Sequence, residues 1–108
     1  MTNTYFDTSH PAFIKWLTVA QKIVDNHNQS HGYSNSILEY RQGSRYIKVM
    51  CRDLNNNGRH VWAFIDRSNG DVLKPASLNA PAKHARGNLF DETLGLSQLG
   101  PYGPAYLR

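Results

Sequence analysis

The chain is poor in the residues that build covalent cross-links and membrane anchors. Cys51 is its only cysteine, which excludes an intramolecular disulfide and a zinc site of several thiolates. A reducing, intracellular setting fits that usage. No apolar run approaches the roughly 18 residues of a membrane-spanning helix, and the opening MTNTYFDTSHP lacks the basic start and apolar centre of a secretory signal. The expectation is a soluble, cytosolic protein with no membrane partner. Motifs of catalysis are missing too: there is no G-x-x-x-x-G-K-[ST], no G-x-S-x-G and no paired-carboxylate motif. With 108 residues there is room for a single domain over 1–108 with one core, burying about 65% of the unfolded surface, and none for an added catalytic domain. Acids are also in the minority. Lys plus Arg number 12 against 8 Asp plus Glu, a net charge of +4 and a pI near 9.4, which biases the chain toward acidic partners such as nucleotides, nucleic acid or acidic protein surfaces.

What is present begins with a helical stripe. Phe13, Trp16, Leu17, Ala20, Ile23, Val24 and His27 recur at the spacing of one helix face, with Lys15, Gln21, Lys22, Asp25 and Asn26 on the other. Ser9 upstream can cap the first-turn amides, Pro11 suits the first turn, and 28–32 offers a polar stop. This predicts a helix over about 10–28 with Trp16 in the core. After Gly32 the period changes to two, and 36–41, 45–52, 59–66 and 71–74 read as strands. Gln42-Gly43-Ser44, Asn55 to Gly58 and Ser68-Asn69-Gly70 are short, turn-forming links, so the four strands form an antiparallel meander. Cys51 alternates with Ile47 and Val49 and reads as a buried, inert thiol. The fold class is α+β: one N-terminal helix packed on a four-stranded antiparallel meander spanning 36–74, followed over 75–108 by an irregular C-terminal wrap.

Beyond Pro75 the chemistry becomes denser than the structure. Lys74, Lys83, His84 and Arg86 gather among prolines, glycine and small residues, and acids fall only at the hairpin end, Asp66 and Asp71. A turn or two of helix starting at Pro81 and ending at Gly87 would aim free amides at an anion, with Lys83 and Arg86 on one face. Arg86 can grip phosphate with two prongs, Lys83 acts as a point charge, and His84 can hydrogen-bond a phosphate or base. Asn88 completes the candidate ligand-binding set, or caps backbone groups that fix the wrap. A second candidate is a stacking face. On alternating strands Tyr46, Lys48, Met50 and Arg52 share one side of the sheet, and His60, Trp62 and Phe64 share one side of the next strand. If the helix covers Ile47, Val49 and Cys51, then Tyr46, Trp62 and Phe64 can stack bases while the basic residues neutralise phosphates.

Five histidines raise the question of a metal. They form no H-E-x-x-H motif, and His27 and His31, though four apart, fall at the expected helix end among Asn, Gln and Gly, so capping is the reading and no metal or cofactor is expected. Leu89, Phe90, Leu94, Leu96, Leu99, Tyr102, Tyr106 and Leu107 are too apolar for a solvated linker. The tail should pack on the domain or on a second copy, and a homo-oligomer is one outcome.

FID followed by GDVLKPAS, APAKHARGN and a terminus reading GPYGPAYLR resembles a group of small accessory proteins of tailed bacteriophages, over the chain from Phe64 onward. Leu78 stands where that group leads one to expect tryptophan. The resemblance implies a protein made in the cytoplasm of an infected bacterial host, serving host takeover or anti-defence. The leading expectation is a binding protein and not an enzyme, recognising the phosphate of a nucleotide or nucleic acid, an immune signalling nucleotide among them. A protein-protein inhibitor of a host enzyme is the alternative, and a small hydrolase using His84 a third.

Overall fold

The computed structural model describes residues 5–96 and 99–104. Helix α1 runs Pro11–Ser30 and buries Phe13, Trp16, Ala20, Val24 and Asn28, one face of the helical period. Its cap is His10, not Ser9: His10 Nδ1 accepts the Ala12 N–H at 3.0 Å, while the Ser9 hydroxyl turns to Asp7. Pro11 sits at the start, where its missing N–H costs nothing.

Five strands follow, against the expectation of four. They are β1 Ser36–Gln42, β2 Tyr46–Asp53, β3 Arg59–Asp66, β4 Asp71–Pro75 and β5 Pro81–Asn88, antiparallel and adjacent in chain order. The fifth replaces the short helix expected at Pro81. Strand β4 carries buried Val72 and Leu73, and its outer N–H and C=O groups need partners. The chain after Pro81 supplies them, Leu73 facing Ala85 and Asp71 facing Asn88, with register shifts absorbing the extra residues. Long-range pairing overrides the local helix preference of Ala-Lys-His-Ala-Arg. Among the described residues the expected irregular wrap also contains defined elements: Asp91 Oδ1 holds the Thr93 and Gly95 amides in a turn, and β6 Leu99–Gly100 pairs with β7 Gly103–Pro104. Of the apolar tail, Tyr106 and Leu107 lie outside the described residues.

Helix α1 covers one face of the sheet. Against it lie Leu38, Ile47, Val49, Cys51, Ala63, Ile65, Val72 and Leu89, a single apolar cluster. Burial pushes the Cys51 thiol up, as a buried thiol requires. Trp62 also belongs to this cluster, which corrects its place on the stacking face. A bulge shifts the register so that Val49 faces Ala63 and Met50 faces Val61, leaving Trp62 as the extra residue. The insertion breaks the alternation that would have kept Trp62 beside Phe64. Its ring meets Trp16 edge-on at 6.0 Å and its Nε1 donates to the Pro101 carbonyl at 3.2 Å. The β6–β7 hairpin closes over it so tightly that a side chain at Gly103, φ +102°, would run into the Trp62 carbonyl.

The start of the β1 edge is handled by one side chain. Gln21 of α1 accepts the Leu38 N–H at 2.8 Å and donates to the Ser36 carbonyl at 3.0 Å, satisfying one outward N–H and one outward C=O of β1.

Candidate functional site

Among the described residues no helix lies on the second face of the sheet. Alternation and register place there Glu39 and Arg41 of β1, Tyr46, Lys48, Met50 and Arg52 of β2, and Arg59, Val61, Phe64 and Asp66 of β3. Phe64 is 3% exposed, yet it stands outside the helix-side cluster; it faces Leu73 and touches the Tyr46 ring edge-on at 6.1 Å. The loop 76–80 between β4 and β5 leans over this face, its Asn79 Oδ1 accepting from Lys48 Nζ at 3.2 Å. Between that loop and the β1–β2 turn lies a concavity of about 320 Å³, lined by Arg41, Gly43, Ser44, Arg45, Tyr46, Lys48, Phe64 and Asn79. Its lining contains three cationic side chains and no acid.

The charges around it are unequally satisfied. Asp66, beneath the turn, is buried, and burial works to raise its carboxyl; hydrogen bonds from the Ser68 hydroxyl and amide and from Arg45 outweigh that and hold it below the ordinary range. Arg45 pairs with it at 3.1 Å, lies over the Tyr46 ring at 5.3 Å, and is raised by the same hydrogen bond. Further along, Arg52 stands opposite Arg59. Glu39 relieves that pair: Arg59 Nε donates to its Oε1 at 3.1 Å, and Arg52 Nε lies at the same distance, off the hydrogen-bonding direction, while its Nη1 donates to Asn57. The bond from Arg59 holds Glu39 low despite some desolvation, and the nearby Arg52 charge adds to it. Arg41 stands opposite Lys48 in the same way, with no acidic partner for either among the described residues. Like charges directly opposite in a sheet are destabilising unless a counter-charge intervenes.

The basic cluster from the sequence is divided by the fold. Lys74 Nζ donates to the Pro104 carbonyl at 3.1 Å and so ties β4 to β7. Arg86, 7% exposed, donates to the His84 carbonyl. Asn88 donates to the Asn69 carbonyl at 2.8 Å and to Asp71 Oδ1 at 3.0 Å, clamping the β3–β4 turn. Lys83 and His84 are exposed on β5. No helix N-terminus exists at Pro81 to gather them round an anion. Of the stacking face, Tyr46 and Phe64 come together and Trp62 does not. Sequence reasoning named Lys48 among the basic residues of this face but missed that Arg41, from β1, and Asn79, from a loop, join it in one concavity. The turn Gln42-Gly43-Ser44 was the available signal, since closing it forces Arg41 opposite Lys48.

No group of three or more His, Cys, Asp and Glu side chains that could hold a metal ion occurs among the described residues. No helix is long and apolar enough to cross a membrane among them either. A sequence model of a family of unknown function (DUF7717) matches residues 7–99. None of the curated proteins and none of the solved structures matches the chain.

Proposed function

We infer a function for this chain, which belongs to the DUF7717 family, from its own surface: it binds the phosphate of a nucleotide or nucleic acid in the concavity of the open sheet face. The observation that carries this reading is the Arg41–Lys48 pair, two cations set opposite each other with no acid between them. Arg41 supplies the two-pronged grip and Lys48 the point charge. The Tyr46 ring, backed by Phe64, offers a partly exposed aromatic surface on which a base can stack. Exposed Lys83 and His84 extend the positive surface on β5, whereas Lys74, Arg86 and Asn88 serve the fold through the backbone groups they hold. Action inside an infected bacterium, as a host-takeover or anti-defence factor, belongs to this proposal on sequence resemblance alone.

A screen of mono-, di- and cyclic nucleotides, single-stranded DNA and RNA at two salt concentrations tests the reading. Extended nucleic acid gives a steep salt slope and an enclosed nucleotide a shallow one. No binding by the wild type at either salt concentration overturns the proposal. The alternative, a host-protein inhibitor, is favoured by Leu78, 66% exposed beside Arg59, His60 and Val61. A host protein lost on Leu78→Ser but retained on Arg41→Gln would support it.

A further inference from the structure

The last turn of α1 carries a cluster that the groove does not use. His27 and His31, one turn apart, bring their ring centroids to 4.2 Å, and Tyr33 stacks on His31 at 5.3 Å with the planes 26° apart. Tyr102, from the turn between β6 and β7, sets its hydroxyl 3.0 Å from His27 Nε2. The tautomer of His31 follows from its neighbours. Its Nδ1 lies 2.9 Å from the His27 carbonyl and 3.1 Å from Ser30 Oγ, whose own hydrogen goes to that same carbonyl at 3.0 Å. A carbonyl only accepts, and the committed hydroxyl can only accept in turn, so His31 Nδ1 carries a proton and in the neutral ring the free lone pair is on Nε2. An imidazole anchored through one N–H to a backbone carbonyl is how metal-ligating histidines are held.

We propose that His27 Nε2, His31 Nε2 and the Tyr102 oxygen bind one late first-row divalent cation, of the Cu2+ or Zn2+ kind. Two donors each about 2.1 Å from an ion, at square or tetrahedral angles, stand about 3 to 3.4 Å apart, and the His27–Tyr102 separation matches the lower end. Imidazole and phenol without carboxylate disfavour Ca2+ and Mg2+ and suit copper or zinc. The negative end of the helix dipole adds attraction for a cation. His31 and Tyr102 are exposed, so water fills the remaining positions and the ion has an open path. On binding, the metal takes the place of the hydrogen bond between His27 and Tyr102, and the phenol proton leaves to solvent.

The test is calorimetric titration of the tag-free protein with Cu2+ and with Zn2+. One-to-one binding is expected, weakened at least about tenfold by His27→Ala and by His31→Ala and unchanged by His84→Ala. Tyr102→Phe should abolish a phenolate-to-copper charge-transfer absorption while circular dichroism shows the fold intact. Absence of stoichiometric binding, equal affinity in His31→Ala, or an unaltered copper spectrum in Tyr102→Phe would each overturn the site. His31 is exposed, so its variant retains the fold and keeps the test decisive.

Discussion

Two like-charge pairs stand on the open face of one sheet, and they are treated differently. Arg52 and Arg59 share Glu39, whereas Arg41 and Lys48 have no acid between them and Lys48 donates only to the neutral Asn79. Both pairs arise from register alone, so placing cations opposite one another is not itself a sign of function. The difference lies in what surrounds them. Arg59 of the satisfied pair borders a recess beside Leu78, while both members of the bare pair border the concavity walled by Tyr46 and Phe64. A counter-charge supplied by the fold marks a structural pair, and one left to be supplied marks a candidate site.

The comparison breaks most directly by removing the bare pair. Arg41→Gln with Lys48→Gln should weaken nucleotide or oligonucleotide binding more than tenfold, since a charge-assisted contact contributes about 1.5 to 3 kcal/mol. Thermal unfolding should stay level or rise slightly, because the change also removes repulsion. Equal binding by this variant would show the concavity to be unused.

The next test turns the satisfied pair into a second bare one. Glu39→Gln should lower the unfolding midpoint at neutral pH and leave groove binding intact. The sign with pH follows from the carboxyl being held low: its stabilisation is complete above the ordinary carboxylate pKa of 4.5 and disappears as pH falls through the lower folded value. Melting curves of wild type and variant should therefore converge as acid is added from about pH 4.5 downward. Curves that stay parallel through that range would mean that Glu39 does not stabilise the pair.

The smallest effect is expected at β5. Lys83→Gln with His84→Gln removes exposed polar side chains that form no ion pair among the described residues, and should change binding less than threefold while flattening its salt dependence slightly. A loss as large as that of the Arg41 and Lys48 variant would move the site to β5.

Much of this arrangement was legible because it depends on period. The stripe through Phe13, Trp16, Ala20 and Val24 and the alternation of Ile47, Val49 and Cys51 need only spacing, and the turns Gln42 to Arg45 and Ser68 to Gly70 need only their residue chemistry. Trp62 was misplaced because a single inserted residue reverses every later side chain of a strand, and nothing in Arg59 to Asp66 announces the insertion. The strand at Pro81–Asn88 was hidden for another reason. It has no β-branched or aromatic residue, so its extended form comes from what β4 needs and not from its own preference. The concavity was half legible, since Tyr46, Lys48 and Phe64 follow from alternation, but Arg41 requires a register and Asn79 a loop path.

The amide of Gln21 has a consequence for how this molecule keeps to itself. By occupying the outward N–H of Leu38 and C=O of Ser36, it acts as a one-residue dummy strand, so that an incoming chain must first evict a helix side chain before it can zip onto β1. The groups beside that margin include exposed Ile37 and Tyr40, a sticky border for edge-to-edge stacking. A single carboxamide thus obstructs fibrous association along the first residues of β1, leaving the open face free to meet a ligand.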